Sequence, residues 1–213
     1  MLKIYDEKMN ALGFEEKKKV HQLGLWHKTV GAIVFNLQSR KLYFQTIYPK
    51  DNYTFERADY IDFAVGGHVE NDEQPEDTLK REMFEELGWQ ITDNDFKFIG
   101  MRVCKADLSA TYVIREFQYF YAIETKDVLK NMDFSLSDGE VKSVVEVDAD
   151  DFLALLMGRT SEICANEMQL DKNTRAAIYV ENICINSARI VPDYFKDKSI
   201  LEMMLSVKSI MCD

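Results

Sequence analysis

Between Thr29 and Phe35 the chain reads TVGAIVF, a nearly unbroken apolar run that predicts a strand buried on both faces. Asn36–Arg40 is a polar turn, and Lys41 to Tyr48 alternates as the hairpin partner should. Pro49 to Tyr60 is polar and reads as a loop. Ile61 to Val65 reads as a short strand that runs into a turn at Gly66–Gly67. The period then changes. Leu79, Met83 and Leu87 form an i, i+4, i+8 stripe, with Pro75 in the first turn and Gly88 beyond the last, so a helix is predicted over Pro75–Leu87. Phe96–Lys105, Tyr112–Glu124 and Val141–Val147 read as further strands. Asp148–Asp151 offers N-caps for a helix running to about Met157. Upstream, residues 1–20 give a short strand, a turn near Asn10–Gly13 and the charged stretch Glu15–Lys19. Beyond Ser161 the pattern is less periodic until Ser199–Met211, which reads as an amphipathic helix. The expected organisation is an α/β domain over residues 1–158. A helical C-terminal extension over 159–213 packs on it or on a partner subunit.

Composition narrows the function classes. Of 213 residues, 46% are hydrophobic and 12% aromatic, ample for a packed core. The formal charge is −11 and the pI about 4.8, and no Lys/Arg-rich run offsets this, so a nucleic-acid polymer is not an expected partner. No apolar run approaches the roughly 20 residues that span a bilayer, and Met1–Asn10 lacks a signal-peptide core. Cys104, Cys164, Cys184 and Cys212 have neither zinc-ligand nor redox-motif spacing. These readings predict reduced thiols in a cytoplasmic protein that does not engage membranes.

One segment conflicts with local electrostatics. Glu73, Glu76, Asp77, Glu82, Glu85 and Glu86 crowd the predicted helix, opposed only by Lys80 and Arg81. Glu76 and Asp77 suit the N-terminal end of the helix dipole, but Glu82, Glu85 and Glu86 sit where it disfavours them. Their spacing puts them on one face, where each like-charge pair costs about 0.2–0.5 kcal/mol. Taken alone, the triplet is a solvated acidic face. With two glycines just upstream it is also a hard-oxygen site suited to Mg²⁺ or Mn²⁺, as diphosphate hydrolysis requires.

Gly67, Glu73, Arg81-Glu82, Met83, Glu85-Glu86, Gly88 and Trp89 fill all nine specified positions of the 23-residue Nudix box, and the chain resembles the Nudix hydrolases on that ground. The resemblance implies a Nudix-type α/β/α sandwich with a mixed sheet. Its cofactor would be Mg²⁺ or Mn²⁺ and its substrate a small-molecule diphosphate. It implies that Glu85 and Glu86 are the principal metal ligands, and that Glu82 is a third ligand or the general base. Glu73 then supports the site, Arg81 holds the glutamates by ion pairing, and the Gly66 carbonyl binds metal. Glu140, in the loop Ser137–Val141, is the candidate for a base or further ligand from outside the box.

VHQLGLWHKTVGAIVFN (Val20–Asn36) and DFAVGGHVEND (Asp62–Asp72) resemble the branch that holds isopentenyl-diphosphate isomerases and their hydrolase relatives. IYDEKMNALG resembles the leading hairpin of the hydrolase relatives. By that resemblance His27, His68 and Glu116 match ligands of a second metal site, with His21 one residue out of step. Gly66 stands where an isomerase carries its cysteine, which removes the acid–base partner for alkene protonation and favours hydrolysis. Isomerase activity and a catalytically silent ligand-binding module are the alternatives. Lys50, Arg57, Lys105 and Arg115 are candidate phosphate contacts, while Trp26 and Trp89 read as packing residues. The apolar tail helix offers a surface for a homodimer, though no residue pattern demands one.

Overall fold

The structure, a computed structural model, describes residues 1–48 and 60–212. Its spine is β3 (Trp26–Asn36), which holds the TVGAIVF run. Along one edge β3 pairs in parallel with β8 (Tyr112–Glu124), from His27↔Glu116 to Phe35↔Glu124. Along the other it meets three antiparallel partners in turn: β1 (Leu2–Tyr5), β6 (Val65–His68) and β4 (Lys41–Ile47). β2 (Ala11–Glu15) extends the sheet beyond β1, β5 (Asp62–Phe63) lies on β4, and β7 (Phe96–Ser109) forms a long hairpin with β8. Past β4 come β9 (Val141–Asp148), β10 (Glu162–Leu170) and β11 (Ala177–Asn186). The sheet is therefore mixed, as expected.

Both faces of the sheet are covered. Ile33, Phe35 and Phe44 pack with Phe152 of α3 (Ala149–Leu156) and with Ile200, Met204 and Val207 of α4 (Lys198–Ile210). Ala32, Val34 and Tyr43 pack with Leu79, Met83 and Leu87 of α2 (Pro75–Leu87). Alternate β3 side chains thus enter different cores, which is why the run shows no polar alternation. Each of the three buried α2 side chains contributes about 1.5–3 kcal/mol of burial, which outweighs the like-charge cost on the opposite face. Gly88 closes α2 at φ +76°, with its N–H returning to Phe84 O. Asp148 caps α3 by accepting from the Asp150 and Asp151 amides. A short α1 (Lys17–Leu23) follows β2.

Two expectations change. The stretch after residue 158 is not helical throughout: residues 162–186 hold the β10–β11 hairpin, and the C-terminal helix is confined to α4. A register shift between Ala165 and Glu167 breaks the inward alternation of β10, so Ile163 and Ala165 are followed by Met168 and Leu170. Gly66 and Gly67, expected in a turn, lie within β6 opposite Gly31 and Val30. The loop expected over Pro49–Tyr60, with Lys50 and Arg57, lies outside the described residues apart from Tyr60. Among the described residues the four cysteines are free, and no helix is long and apolar enough to cross a membrane.

Candidate active site

A cavity of about 400 Å³ opens between α2, β3, β6, β7 and β8. At one end lie Glu82, Glu85, Glu86 and Glu140. Arg81 organises this end. Its Nη1 donates to Glu82 Oε1 at 2.8 Å and to Glu85 Oε2 at 3.0 Å. Its Nη2 donates to Glu73 Oε2 at 3.3 Å and to the His68 carbonyl at 3.2 Å. Thr78 also donates to Glu73, at 2.8 Å. Gly67 makes room for Glu82, because a Cβ there would stand 2.1 Å from the Glu82 carboxyl carbon. Glu86 is only 4% exposed and accepts the Gly66 N–H at 3.0 Å and the Gln45 amide at 3.3 Å.

Burial pushes the Glu82 carboxyl up to about 7 despite the pull of Arg81. Burial, then the charges of Glu82 and Glu140, push Glu86 well above the carboxylate range. Burial also acts upward on Glu73, but its bonds from Arg81 and Thr78 prevail and hold it below its ordinary value. The carboxylates that face the cavity are therefore short of positive charge. Glu140 precedes β9; its N–H donates to Asp138 Oδ1 at 2.8 Å, and its carbonyl accepts from Tyr48 N–H at 2.9 Å.

A second cluster, of which His68 and Glu116 line the same cavity, gathers from four elements. His21 comes from α1, His27 from β3, His68 from β6 and Glu116 from β8, and their ligand atoms lie within 4.8 Å of one another. His21 Nε2 and His68 Nε2 are 3.0 Å apart. His27 Nδ1 lies 2.9 Å from the Leu25 carbonyl, which only an Nδ1–H satisfies. Its Nε2 is buried with no hydrogen-bond partner among the described residues and lies 3.5 Å from Glu116 Oε1. Burial, then the neighbouring His27, lowers His21 to about 4; burial, then Lys17, holds His68 well below its ordinary value. Burial acts upward on Glu116, but His27, His68 and the Gln118 amide bring it to about 2. Neutral imidazoles beside a carboxylate are a donor set for a divalent ion.

The structure brings Glu82, Glu85, Glu86 and Glu140 to one cavity with Arg81 and Glu73 beside them, gathers His27, His68 and Glu116 into one cluster, and adds further residues. His21, set aside as out of step, joins the cluster because a helix rather than a strand delivers it. Lys17 and Arg102 are the cations beside Arg81 on the cavity wall, and Cys104 lines it as well. Lys105 and Arg115 do not line it. Alternation along β7 turns Arg102 and Cys104 inward and Lys105 outward, where Lys105 pairs with Glu7 at 3.6 Å. Arg115 pairs with Asp107 at 2.8 Å. Trp26 stacks on Phe117, with ring centroids 4.7 Å apart.

Fold and site together define an α/β/α sandwich whose acidic cavity is built on the strand–loop–helix of residues 65–87. The chain belongs to the Nudix family: the NUDIX domain matches residues 25–163. It is 27% identical over 177 residues to an uncharacterized Nudix hydrolase of Clostridium acetobutylicum, covering 82% of each chain. A Rhodococcus erythropolis protein, also an uncharacterized Nudix hydrolase, is 31% identical over 85 residues, 40% of this chain and 44% of that one. Among solved structures, that of a Deinococcus radiodurans protein shares the fold with a TM-score of 0.51 at 18% identity, over 74% of this chain and 88% of that one.

Proposed function

We propose that this protein is a Mg²⁺- or Mn²⁺-dependent hydrolase that splits a diphosphate linkage in a nucleoside diphosphate derivative or a similar small organic diphosphate. The observation that carries this reading is the convergence of Glu82, Glu85, Glu86 and Glu140 on one cavity wall with too little positive charge to balance them. Such a hard-oxygen set fits a small divalent cation held by Glu82, Glu85, Glu86 and the Gly66 carbonyl. When bound, the cation neutralises phosphate oxygens and makes the phosphorus open to attack. Arg81 fixes the glutamate rotamers from behind, anchored in turn by Glu73. Glu82 or Glu140, both on the cavity wall, accepts a proton from the attacking water.

His27, His68 and Glu116, joined by His21, form a second metal site in this reading. The observation favouring it is the convergence of four ligand atoms within 4.8 Å, with a buried His27 Nε2 that has no hydrogen-bond partner among the described residues. Its nitrogen-rich set selects borderline ions over Mg²⁺.

The test is a metal-stripped preparation resupplied with Mg²⁺ and offered a panel of nucleoside diphosphate derivatives and organic diphosphates. Release of phosphate or nucleoside monophosphate is measured beside Glu85→Gln and Glu86→Gln. Metal-dependent release that falls on the order of a hundred- to a thousandfold in each variant is expected. Turnover that survives both substitutions would overturn the mechanism.

A further inference from the structure

Among the described residues that line the cavity, Arg102 is the most buried cation. It is only 8% exposed and sits between the imidazole cluster and the C-terminal extension. Its Nε donates to Asp197 Oδ2 at 2.6 Å. Asp197 is itself fixed by α4, because its Oδ1 accepts from Ser199 N–H at 2.9 Å and from Ser199 Oγ at 2.6 Å. On the other side, Arg102 Nη1 donates to Gln118 Oε1 at 3.0 Å. Gln118 Nε2 then donates to Glu116 Oε2 at 2.7 Å.

The direction of this chain is fixed by chemistry. A guanidinium can only donate, so the amide must turn its oxygen to Arg102 and its NH₂ to Glu116. Thr29 Oγ1 donates to the same Oε2, at 3.4 Å. Both donors thus engage one oxygen of Glu116 and leave Oε1 facing His27 Nε2. Without Gln118, the carboxylate would keep one weak donor and could rotate about its last torsion, which is broad in energy.

We propose that Gln118, oriented by Arg102, is a positioning residue that aims Glu116 Oε1 into the imidazole cluster, and that Asp197 anchors the relay to the C-terminal extension. This rests on reading the cluster as a metal site. Groups that orient metal ligands typically matter about ten- to a hundredfold in affinity.

The experiment titrates Co²⁺ into the full-length protein in excess Mg²⁺, which occupies the carboxylate end, and follows the visible absorption of nitrogen-ligated cobalt. Gln118→Glu is the informative variant. It keeps, and charges, the acceptor for Arg102, but it cannot donate to Glu116 and repels it. Gln118→Met removes both bonds. The relay predicts that Co²⁺ affinity falls about ten- to a hundredfold in both variants, with a shifted spectrum and a cooperative thermal transition retained. A role confined to tethering Arg102 predicts wild-type affinity and spectrum for Gln118→Glu, and that result would overturn the relay while leaving the metal site standing. Absence of nitrogen-ligated cobalt in the wild type would overturn the metal site and the relay together, with hydrolysis at the carboxylate end judged separately by its own assay.

Discussion

The two ends of the cavity reach an excess of electron-pair donors by opposite routes. At the carboxylate end, charges of one sign are crowded on the last turns of α2 and restrained by a single guanidinium, Arg81. At the imidazole end, burial keeps His21 and His68 neutral, and the one carboxylate, Glu116, is stabilised rather than strained. Apart from Glu140, the first end lies within residues 66–86. The second is assembled by the pairing of β3 with β6 and β8, with α1 adding His21. A charged cluster can be built by one helix because the cation that balances it need not come from the chain. A neutral one needs its rings delivered from several directions, because rings on a single helix face reach out side by side.

The largest effect is expected from separating the two ends at Gly67. A methyl group there would meet the Glu82 carboxyl at 2.1 Å, so Gly67→Ala must displace Glu82. A misplacement of about 1 Å is worth on the order of a hundredfold in rate. Mg²⁺-dependent hydrolysis should fall by about that factor while cobalt absorption from the imidazole end persists. Loss of both signals would show that the ends are one site, and the comparison would fail.

Acidity should separate them next. In metal-free protein, Glu82 titrates near 7 in the folded state against 4.5 in the unfolded chain, so the native state binds its proton more tightly. Its contribution is greatest below 4.5 and is lost as pH rises towards 7, by about 3 kcal/mol at most. Glu86 acts in the same direction. The imidazole end has the reverse slope. His21 falls from 6.5 to about 4 on folding, so its contribution is present above 6.5 and is lost as pH drops towards 4. Thermal midpoints between those limits, in chelator, should show the alkaline loss shrinking in Glu82→Gln and the acid loss shrinking in His21→Asn. Added Mg²⁺ should cancel only the first. Parallel profiles for wild type and Glu82→Gln would refute the assignment.

The same contrast explains what could be read in the sequence. α2 was legible to the residue because the Leu79–Met83–Leu87 stripe, Pro75 and Gly88 are local signals. The carboxylates shared that advantage. β11 was not legible: it lies at the end of the strand order, and of its ten residues only Ile185 is buried, so no inward period marks it. His21 stood one residue out of step with the resemblance, and its place in the cluster depends on α1 and the left-handed Gly24, which turn the chain between it and His27. Arg102 carries no local signal at all. Its meaning comes from Gln118 and Asp197, which are 16 and 95 residues away.

The smallest expected effect tests whether the C-terminal extension also serves the carboxylate end. Arg175, at the β10–β11 connection, is 9% exposed. Its Nε donates to Ser137 Oγ at 2.8 Å and its Nη1 to the Val141 carbonyl at 2.9 Å. These bonds bracket Glu140 from the extension side, while Asp138 N–H ties the same loop to the Glu85 carbonyl at 2.7 Å on the α2 side. Arg175→Met fills similar space but releases one side of the bracket. If Glu140 acts in the reaction, kcat should drop about tenfold with KM changed less than about twofold, since the loss falls on the transition state. Ser137→Ala, which removes a single bond, should cost about two- to threefold, in keeping with roughly 0.5–1 kcal/mol for one hydrogen bond. Co²⁺ binding at the imidazole end should be unchanged in both, which separates a local loop effect from general loosening. A rise in KM at constant kcat would instead place this loop in substrate binding and remove Glu140 from the chemistry.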